Sequence, residues 1–486
     1  MIESHWRRWD DLEGAAWWMA RAGALLLLAA ALALASLRWT VLLIAAAAGG
    51  LAILVHPWLV LLVIAWAAPF GPLVSLPIAG ATADVNELLM AALAGAWVAQ
   101  GAVRRQIVIP RAPLRTPILL LLGAYGFSLL GAWSLRDGLV ESVKWVEGAL
   151  LYLATIALLP RRRAPWLIGA ILAAGAAQAT VGLVQFVRAI GPSQFIVLGR
   201  FVRAYGTFQQ PNPFGGYLGL LAPVALSLTG WAAWRVAAAW RGAGRWAALT
   251  LAGALAAATF LIYAGLIASW SRGAWMGAAA ALVALVVAQG RRATAAAFAV
   301  GLVASAAVVL AGGRGGAVAT ALIDRLASPE SYVAFTDPRT VEITDANFAT
   351  VQRLAQWQAA WGMFSDHPWL GVGIGNYAAA YPAYALPRWY LALGHAHNYY
   401  LNAAAETGLV GLAAYLLLGA AASLWVVRWV RRGVGWPRAL AIGVLGALTH
   451  LSVHNLVDNL YVQHMILILA LLIGSSATVN DPHLSA

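Results

Sequence analysis

The chain has 486 residues, 62% of them hydrophobic and 10% charged, with a mean hydropathy of +0.77. So few charges exclude an ordinary soluble domain, where about a quarter of residues are charged, and zero cysteines exclude disulfides, thiolate nucleophiles and thiolate metal sites. The formal charge of +13 falls between apolar runs, so it points to membrane topology and not to nucleic acid.

In chain order, the first apolar run is Ala15–Leu37. Mixed charges precede it and a second run follows directly, so it reads as a retained span and not as a cleaved leader. Trp39–Val55, Pro57–Leu76 and Val85–Val103 complete the first four. Thr116–Ser134, Gly138–Leu159, Pro165–Val187, Pro213–Trp231, Trp246–Ser269, Ala274–Gln289 and Thr294–Ala311 follow. After a long polar insertion come Asn398–Val427, Ala439–Val457 and Leu460–Ser475. Each is long enough to cross about 30 Å of hydrocarbon as a helix, and lipid demands that backbone groups be satisfied within helices. Pro69, Gly71 and Pro72 interrupt the third run. The expected fold is therefore an all-α polytopic transmembrane helical bundle of about 12–14 spans, with a large extracytoplasmic loop between late spans. The parts are residues 1–187 (N-terminal helices), 188–311 (helices with outer arginine motifs), 312–397 (the loop) and 398–486 (C-terminal helices and tail).

Arginine placement orients the array, because basic residues of short loops stay in the cytoplasm. Arg7 and Arg8 put the N-terminus inside, and the even count puts the C-terminus there too. The alternate loops that hold Arg104, Arg105, Arg111 and Arg115, then Arg161 to Arg163, Arg235, Arg241, Arg245, Arg291, Arg292, Arg428, Arg431, Arg432 and Arg438, are all strongly basic. The segments 188–212, 269–273 and 312–397 then face outward. In the last of these, Phe348, Val351, Leu354, Trp357, Trp361 and Phe364 recur at helical spacing. That predicts an amphipathic helix, which either lies on the outer membrane face or caps the bundle.

No phosphate-binding loop, dinucleotide fingerprint or HExxH zinc motif occurs; Gly371-Val-Gly-Ile-Gly375 lacks the strand and helix context. Three outward segments carry the polar candidates. Arg203-Ala-Tyr-Gly-Thr-Phe-Gln-Gln-Pro-Asn-Pro-Phe214 sets Arg203 above the membrane, as a helix anchor or as a phosphate ligand. Ser271-Arg272-Gly-Ala-Trp275 holds a lone arginine on the face where the topology rule disfavours one, again as an anchor or as a ligand. The third, His395 to Gly411, places His395 and His397 at the outer mouth of a span. Glu406 lies two to three turns down it, functional or a strut bonded to a neighbouring helix.

Two arginines could hold the two phosphates of a leaving diphosphate while a neutral histidine deprotonates an acceptor hydroxyl, with no metal and no cofactor required. His450, His454 and Asp458, at i, i+4 and i+8, share one helical face and fit a metal site or interhelical packing. Trp369 and Trp389 are sugar platforms or interfacial aromatics. Lys144 and Glu147, in a span, can pair at i, i+3.

With these residues in view, the chain resembles the O-antigen ligase and polymerase family of bacterial membrane proteins. The likeness rests on Arg203-Ala-Tyr-Gly-Thr-Phe with Pro-Asn-Pro-Phe, on Ser271-Arg272-Gly-Ala-Trp, and on His397-Asn398 followed by nine residues, Gly408, two residues and Gly411. Arg353 through Trp369 and on to Gly375-Asn376-Tyr377 is similar to the family's large periplasmic loop. The resemblance implies a helical bundle in the bacterial inner membrane with its active site facing outward. It also implies an undecaprenyl-diphosphate-linked glycan donor, a hydroxyl acceptor (lipid A core, another glycan or a further surface molecule), and Arg203, Arg272 and His397 as catalytic residues. Arg203, Arg272, Arg353, His395 and Asn398 are the expected substrate contacts, membrane lipids the surroundings, and no nucleic acid is a partner. Within the family, polymerases differ from ligases in acceptor. A lipid-linked glycan flippase without chemistry is the rival reading, in which the arginines only bind headgroups.

Overall fold

The computed structural model describes residues 49–295 and 337–481, apart from positions 51, 54, 72–74, 79–80, 104, 106–108 and 345–346. The expected spans Ala15–Leu37 and Thr294–Ala311, nearly all of Trp39–Val55 and the first part of the outer loop lie outside the described residues.

From Val60 onward the chain forms one compact unit. Its helices are α1 (Trp58–Phe70), α2 (Val85–Val103), α3 (Arg115–Ser128), α4 (Leu135–Leu158), α5 (Ala164–Arg188), α6 (Pro211–Ala239), α7 (Arg245–Ala268), α8 (Arg272–Gln289), α9 (Phe348–Asp366), α10 (Tyr377–Tyr384), α11 (Tyr399–Arg432), α12 (Gly435–His454) and α13 (Met465–Asn480). Two small antiparallel ladders interrupt them, β1 (Ser75–Ile78) with β2 (Ala81–Asp84), and β3 (Ile196–Val197) with β4 (Phe201–Val202). Among the described residues, the helical segments 161–188, 211–239, 245–268, 272–289 and 399–432 are long and apolar enough to cross a membrane. The protein is a multi-pass, all-α membrane protein.

Helix α6 is the hub. It is buried on nearly every side of its N-terminal half, from Phe214 to Leu228, and packs against α7 and α12, while α8 packs against α12. Glycines make this density possible. A Cβ on Gly219 of α6 would stand 1.9 Å from the His450 ring of α12, and one on Gly273 of α8 would stand 2.6 Å from the His454 ring, so both imidazoles occupy space that only a hydrogen can leave open.

Several expected boundaries move. The run Pro57–Leu76 is not one span: the helix stops at Phe70 and the chain turns into β1, because Pro69, Gly71 and Pro72 cannot continue a hydrogen-bonded helix. Helix α12 ends at His454 and α13 begins at Met465, later than the expected Leu460. In the intervening loop, His464 pairs with Asp84, which fastens β2 to it. Lys144 pairs with Glu141, one turn before it, and not with Glu147; its Nζ also donates to the Tyr461 carbonyl at 2.7 Å, which draws it to that side of α4.

The amphipathic segment is helical, as its spacing predicts. It packs through small residues, with Ala359, Ala360 and Met363 joining Tyr377, Tyr381 and Ala405 in a common core. Helix α9 therefore caps the bundle, while Trp361 stays exposed on its other side.

Candidate functional site

The residues singled out in the sequence gather at one end of the bundle, where α7, α12 and α3 end and α8, α11, α6 and α4 begin. Asn398 caps α11: its Oδ1 accepts from Tyr400 N at 3.0 Å and Leu401 N at 3.1 Å, a cap worth about 1 kcal/mol. Its Nδ2 makes no hydrogen bond among the described residues. The preceding His397 adopts φ +53°, a left-handed conformation uncommon for a non-glycine residue. Helix α9 clamps it there, with Trp357 Nε1 donating to its carbonyl at 3.4 Å.

His397 Nδ1 lies 3.3 Å from Asp458 Oδ1, the two side chains being 20% and 8% exposed. Sequence spacing put Asp458 on one helical face with His450 and His454. The helix ends at His454, so Asp458 leaves that face through a turn and meets His397 instead. His450 and His454 remain a pair, with nitrogens 3.4 Å apart. Burial raises the Asp458 carboxyl, but the hydrogen bond and charge of His397, with His395 and Arg353 behind, outweigh it and hold the group well below the usual carboxylate range. An ionised carboxylate only accepts. Nδ1 of His397 therefore carries the proton of this bond, and in the neutral imidazole Nε2 holds the lone pair.

His395 accepts from His397 N through Nδ1 at 3.1 Å, with the two rings 4.3 Å apart. Burial, aided by His397 and opposed by Asp458, pushes His395 down to about 4. It is neutral at pH 7 and, with Nδ1 accepting, carries its proton on Nε2. Donor atoms of His395, His397 and Asp458 lie within 4.8 Å of one another, the spacing of a possible cation site. Both Nδ1 atoms are already committed to hydrogen bonds. Arg353, one turn before Trp357 on α9, is near enough for its charge to act on His395 and Asp458.

Arg203 is held by the protein at two points: Nε donates to the Ser269 carbonyl at 3.0 Å and Nη2 to Asn212 Oδ1 at 2.9 Å. Asn212 is the residue between the two prolines that start α6, and Ser269 lies in the turn ahead of Arg272. Ser271 caps α8 by accepting from Ala274 N at 3.4 Å, which places Arg272 in the first helical turn. The next residue, Gly273, abuts His454 and Val457, directly before Asp458. A continuous path of contacts thus joins Arg203 to the turn carrying Arg272, that turn to the end of α12, and Asp458 to His397. Asn212, Ser269 and the role of Asp458 went unrecognised in the sequence, since each depends on a partner far along the chain.

Glu406 is a strut. Its Oε1 accepts from Tyr377 N at 3.0 Å, capping α10, and Val372 N donates to the Ala405 carbonyl at 2.9 Å. The run Gly371 to Gly375, with φ of +66°, +99° and +71° at its three glycines, threads here between α11 and the α3–α4 turn.

No curated protein matches the chain significantly. Residues 257–416 match the family model described as O-antigen ligase, a segment that holds Arg272, Arg353, His395, His397, Glu406 and both signature glycines, with Arg203 and Asp458 on either side. This segment, about a third of the chain, is similar to the O-antigen ligase family.

Proposed function

We propose that the protein is a glycosyltransferase of surface polysaccharide biosynthesis in the bacterial inner membrane. It moves a glycan from an undecaprenyl diphosphate carrier to a hydroxyl acceptor, ligase-like, on the outer face. The observation that carries this reading is the assembly of Arg203, Arg272 and the His397–Asp458 pair at one end of the bundle.

His397 Nε2 takes the proton of the acceptor hydroxyl as its oxygen attacks the anomeric carbon of the donor sugar. The bond from that carbon to the phosphate oxygen breaks, and the electron pair leaves with the diphosphate. Arg203 and Arg272 meet the charge developing there; fixed guanidinium groups need no reorganisation at that moment. Attack opposite the leaving group inverts the anomeric centre. Asp458 holds the imidazole in the required tautomer, and Arg353 and Asn398 contact the substrates. The chain supplies the base and both cations itself, so no metal is needed.

The test is transfer by purified protein from a polyprenyl-diphosphate-linked oligosaccharide to a panel of lipid-linked and soluble glycan acceptors, with and without a chelator. Release of the diphosphate lipid coupled to transfer is expected with the chelator present. His397→Ala should lower kcat by about 10²–10⁴-fold, the usual contribution of general base catalysis, and Arg272→Ala should lower kcat/KM for the donor. Binding of the donor through Arg203 and Arg272 without any transfer would favour the flippase reading, and chelator sensitivity reversed by zinc would overturn the metal-independent step.

A further inference from the structure

A cavity of about 270 Å³ opens beside His395, bounded by α3, α4, the start of α11 and the loop between α12 and α13. Arg203, Arg272, Arg353 and Asp458 are absent from its wall. The ring contact between His395 and His397 makes it a neighbour of the base all the same.

Its polar groups are fixed in place, and the wall carries one cation, Lys144, and two carboxylates, Glu141 and Glu406, the latter accepting from Tyr377 N. Glu141 and Lys144 pair with each other, and Lys144 is tethered to the Tyr461 carbonyl. Asn402 Oδ1 accepts from Ala396 N at 3.0 Å and Asn459 Oδ1 from Tyr461 N at 2.8 Å. Both amide nitrogens, without a hydrogen bond among the described residues, are therefore pre-aimed donors. Neutral His395 adds an Nε2 donor, Glu141 a carboxylate acceptor, and the rings of Tyr399 and Tyr461, 4.6 Å apart, an aromatic wall. A diphosphate would find one paired cation here, against the arginines on the other side of His397. An uncharged polyol would find donors, an acceptor and an apolar ring face together, the requirements of a pyranose.

We infer that this cavity is the subsite for the acceptor's sugar, the residue whose hydroxyl His397 deprotonates; this rests on the transferase reading. Glu141 and Lys144 lie outside residues 257–416, so the acceptor would be chosen by groups separate from the arginine and histidine machinery. A second cavity of about 290 Å³ shares Tyr461 and runs from Tyr400 and Ser452 at the outer end past Gly148 toward Leu114, with a largely aliphatic wall. It gives a hydrocarbon chain a path next to the sugar, so the sugar can come from a lipid-linked or a soluble glycan.

The test uses the full chain in phosphatidylcholine nanodiscs with two probes, an octyl glucoside and a methyl glucoside, each carrying a diazirine on the sugar. After irradiation, crosslinks are expected in the peptides spanning residues 394–403 and 455–462, and excess unlabelled methyl glucoside should compete them away. A yield at least tenfold higher for the octyl probe assigns the site to lipid-linked sugars; equal yields assign it to soluble ones. Crosslinks confined to other peptides, or not competed, overturn the inference. In the transfer assay, Glu141→Gln is expected to raise the acceptor KM on the order of tenfold, as for loss of a charge-assisted hydrogen bond, with the donor KM as in wild type. A rise in donor KM alone also overturns it, with the transferase reading intact. If wild type transfers nothing, the transferase reading falls, and competed crosslinks at these peptides would then mark a sugar site without an acceptor role, so the inference falls with it.

Discussion

Asp458 occupies one nitrogen of His397 and so determines what the other can do. Asp458→Asn preserves the shape of the pair but lets the amide donate as well as accept, so the useful tautomer is no longer enforced. We expect kcat to fall by roughly 10²-fold or more, with the donor and acceptor KM values close to wild type. A residue that merely supported the fold would reduce the amount of active protein and leave kcat per active molecule in place. His395 makes a separate prediction. Its folded value of about 4 lies below the 6.5 of an ordinary imidazole, so between those pH values the unfolded chain binds a proton that the folded chain refuses. Stability is therefore unaffected above pH 6.5 and declines as pH falls from 6.5 toward 4. Asp458, held below its ordinary range, adds its loss only at lower pH still. His395→Gln should flatten the decline of the thermal midpoint between pH 6.5 and 4, and parallel slopes for the two proteins would contradict this account.

Among the elements, α11 carries the clearest constraint. It breaks at Gly408, with φ +61° and ψ −164°, where the backbone of Trp369 and Leu370 presses against it. Leu409 N and Val410 N, freed by the break, donate to the carbonyls of Pro368 and Trp369 at 2.8 and 3.3 Å. The outer loop thereby repairs the hydrogen bonds the helix gives up. A Cβ at Gly408 would stand 2.2 Å from the Trp369 carbonyl carbon, so Gly408→Ala combines backbone strain of about 1–3 kcal/mol with a clash against main chain. A large fall in thermal midpoint is expected, accompanied by loss of the His397 geometry about three turns away. Gly419→Ala is the control, since a Cβ there meets nothing within 4 Å; equal stability of the two variants would refute the argument.

At the scale of the molecule, charge divides the bundle. Arg115, Arg163, Arg245, Arg291, Arg432 and Arg438 lie at or beside the helix ends opposite the candidate site, and Arg438 Nη2 donates to the Ala288 carbonyl at 3.0 Å there. The positive-inside rule favours that end as the cytoplasmic one, and the orientation we propose has the site facing outward. The absence of native cysteine makes the orientation directly measurable. In intact cells, Ser365→Cys on α9 should react with a membrane-impermeant maleimide, and Gly242→Cys, between α6 and α7, should react only after permeabilisation. The opposite pattern would invert the topology and remove the proposed chemistry from the outer face.

What the sequence determined by itself follows from one-dimensional physics. Apolar length yields spans such as α5 and α7, helical spacing yields α9, the alternation of arginines supplies an expected phase, and residue chemistry marks Arg203, Arg272 and His397 as groups worth explaining. Proline and glycine at positions 69, 71 and 72 already announced the weakness that ends α1. What the tertiary structure decided are partnerships between distant segments. Asp458 departs from the helical face that its spacing implied and meets His397 across 61 positions; Arg203 is aimed by Ser269 across 66; and Lys144 takes Glu141 because the Tyr461 carbonyl, 317 positions on, draws it that way. The glycines of the outer loop, unreadable as a nucleotide fingerprint, acquire meaning only against the broken backbone of α11. Periodicity sets which way a side chain faces on its own helix, whereas the partner it meets depends on how the helices pack and where each one stops, and those are properties of the whole bundle.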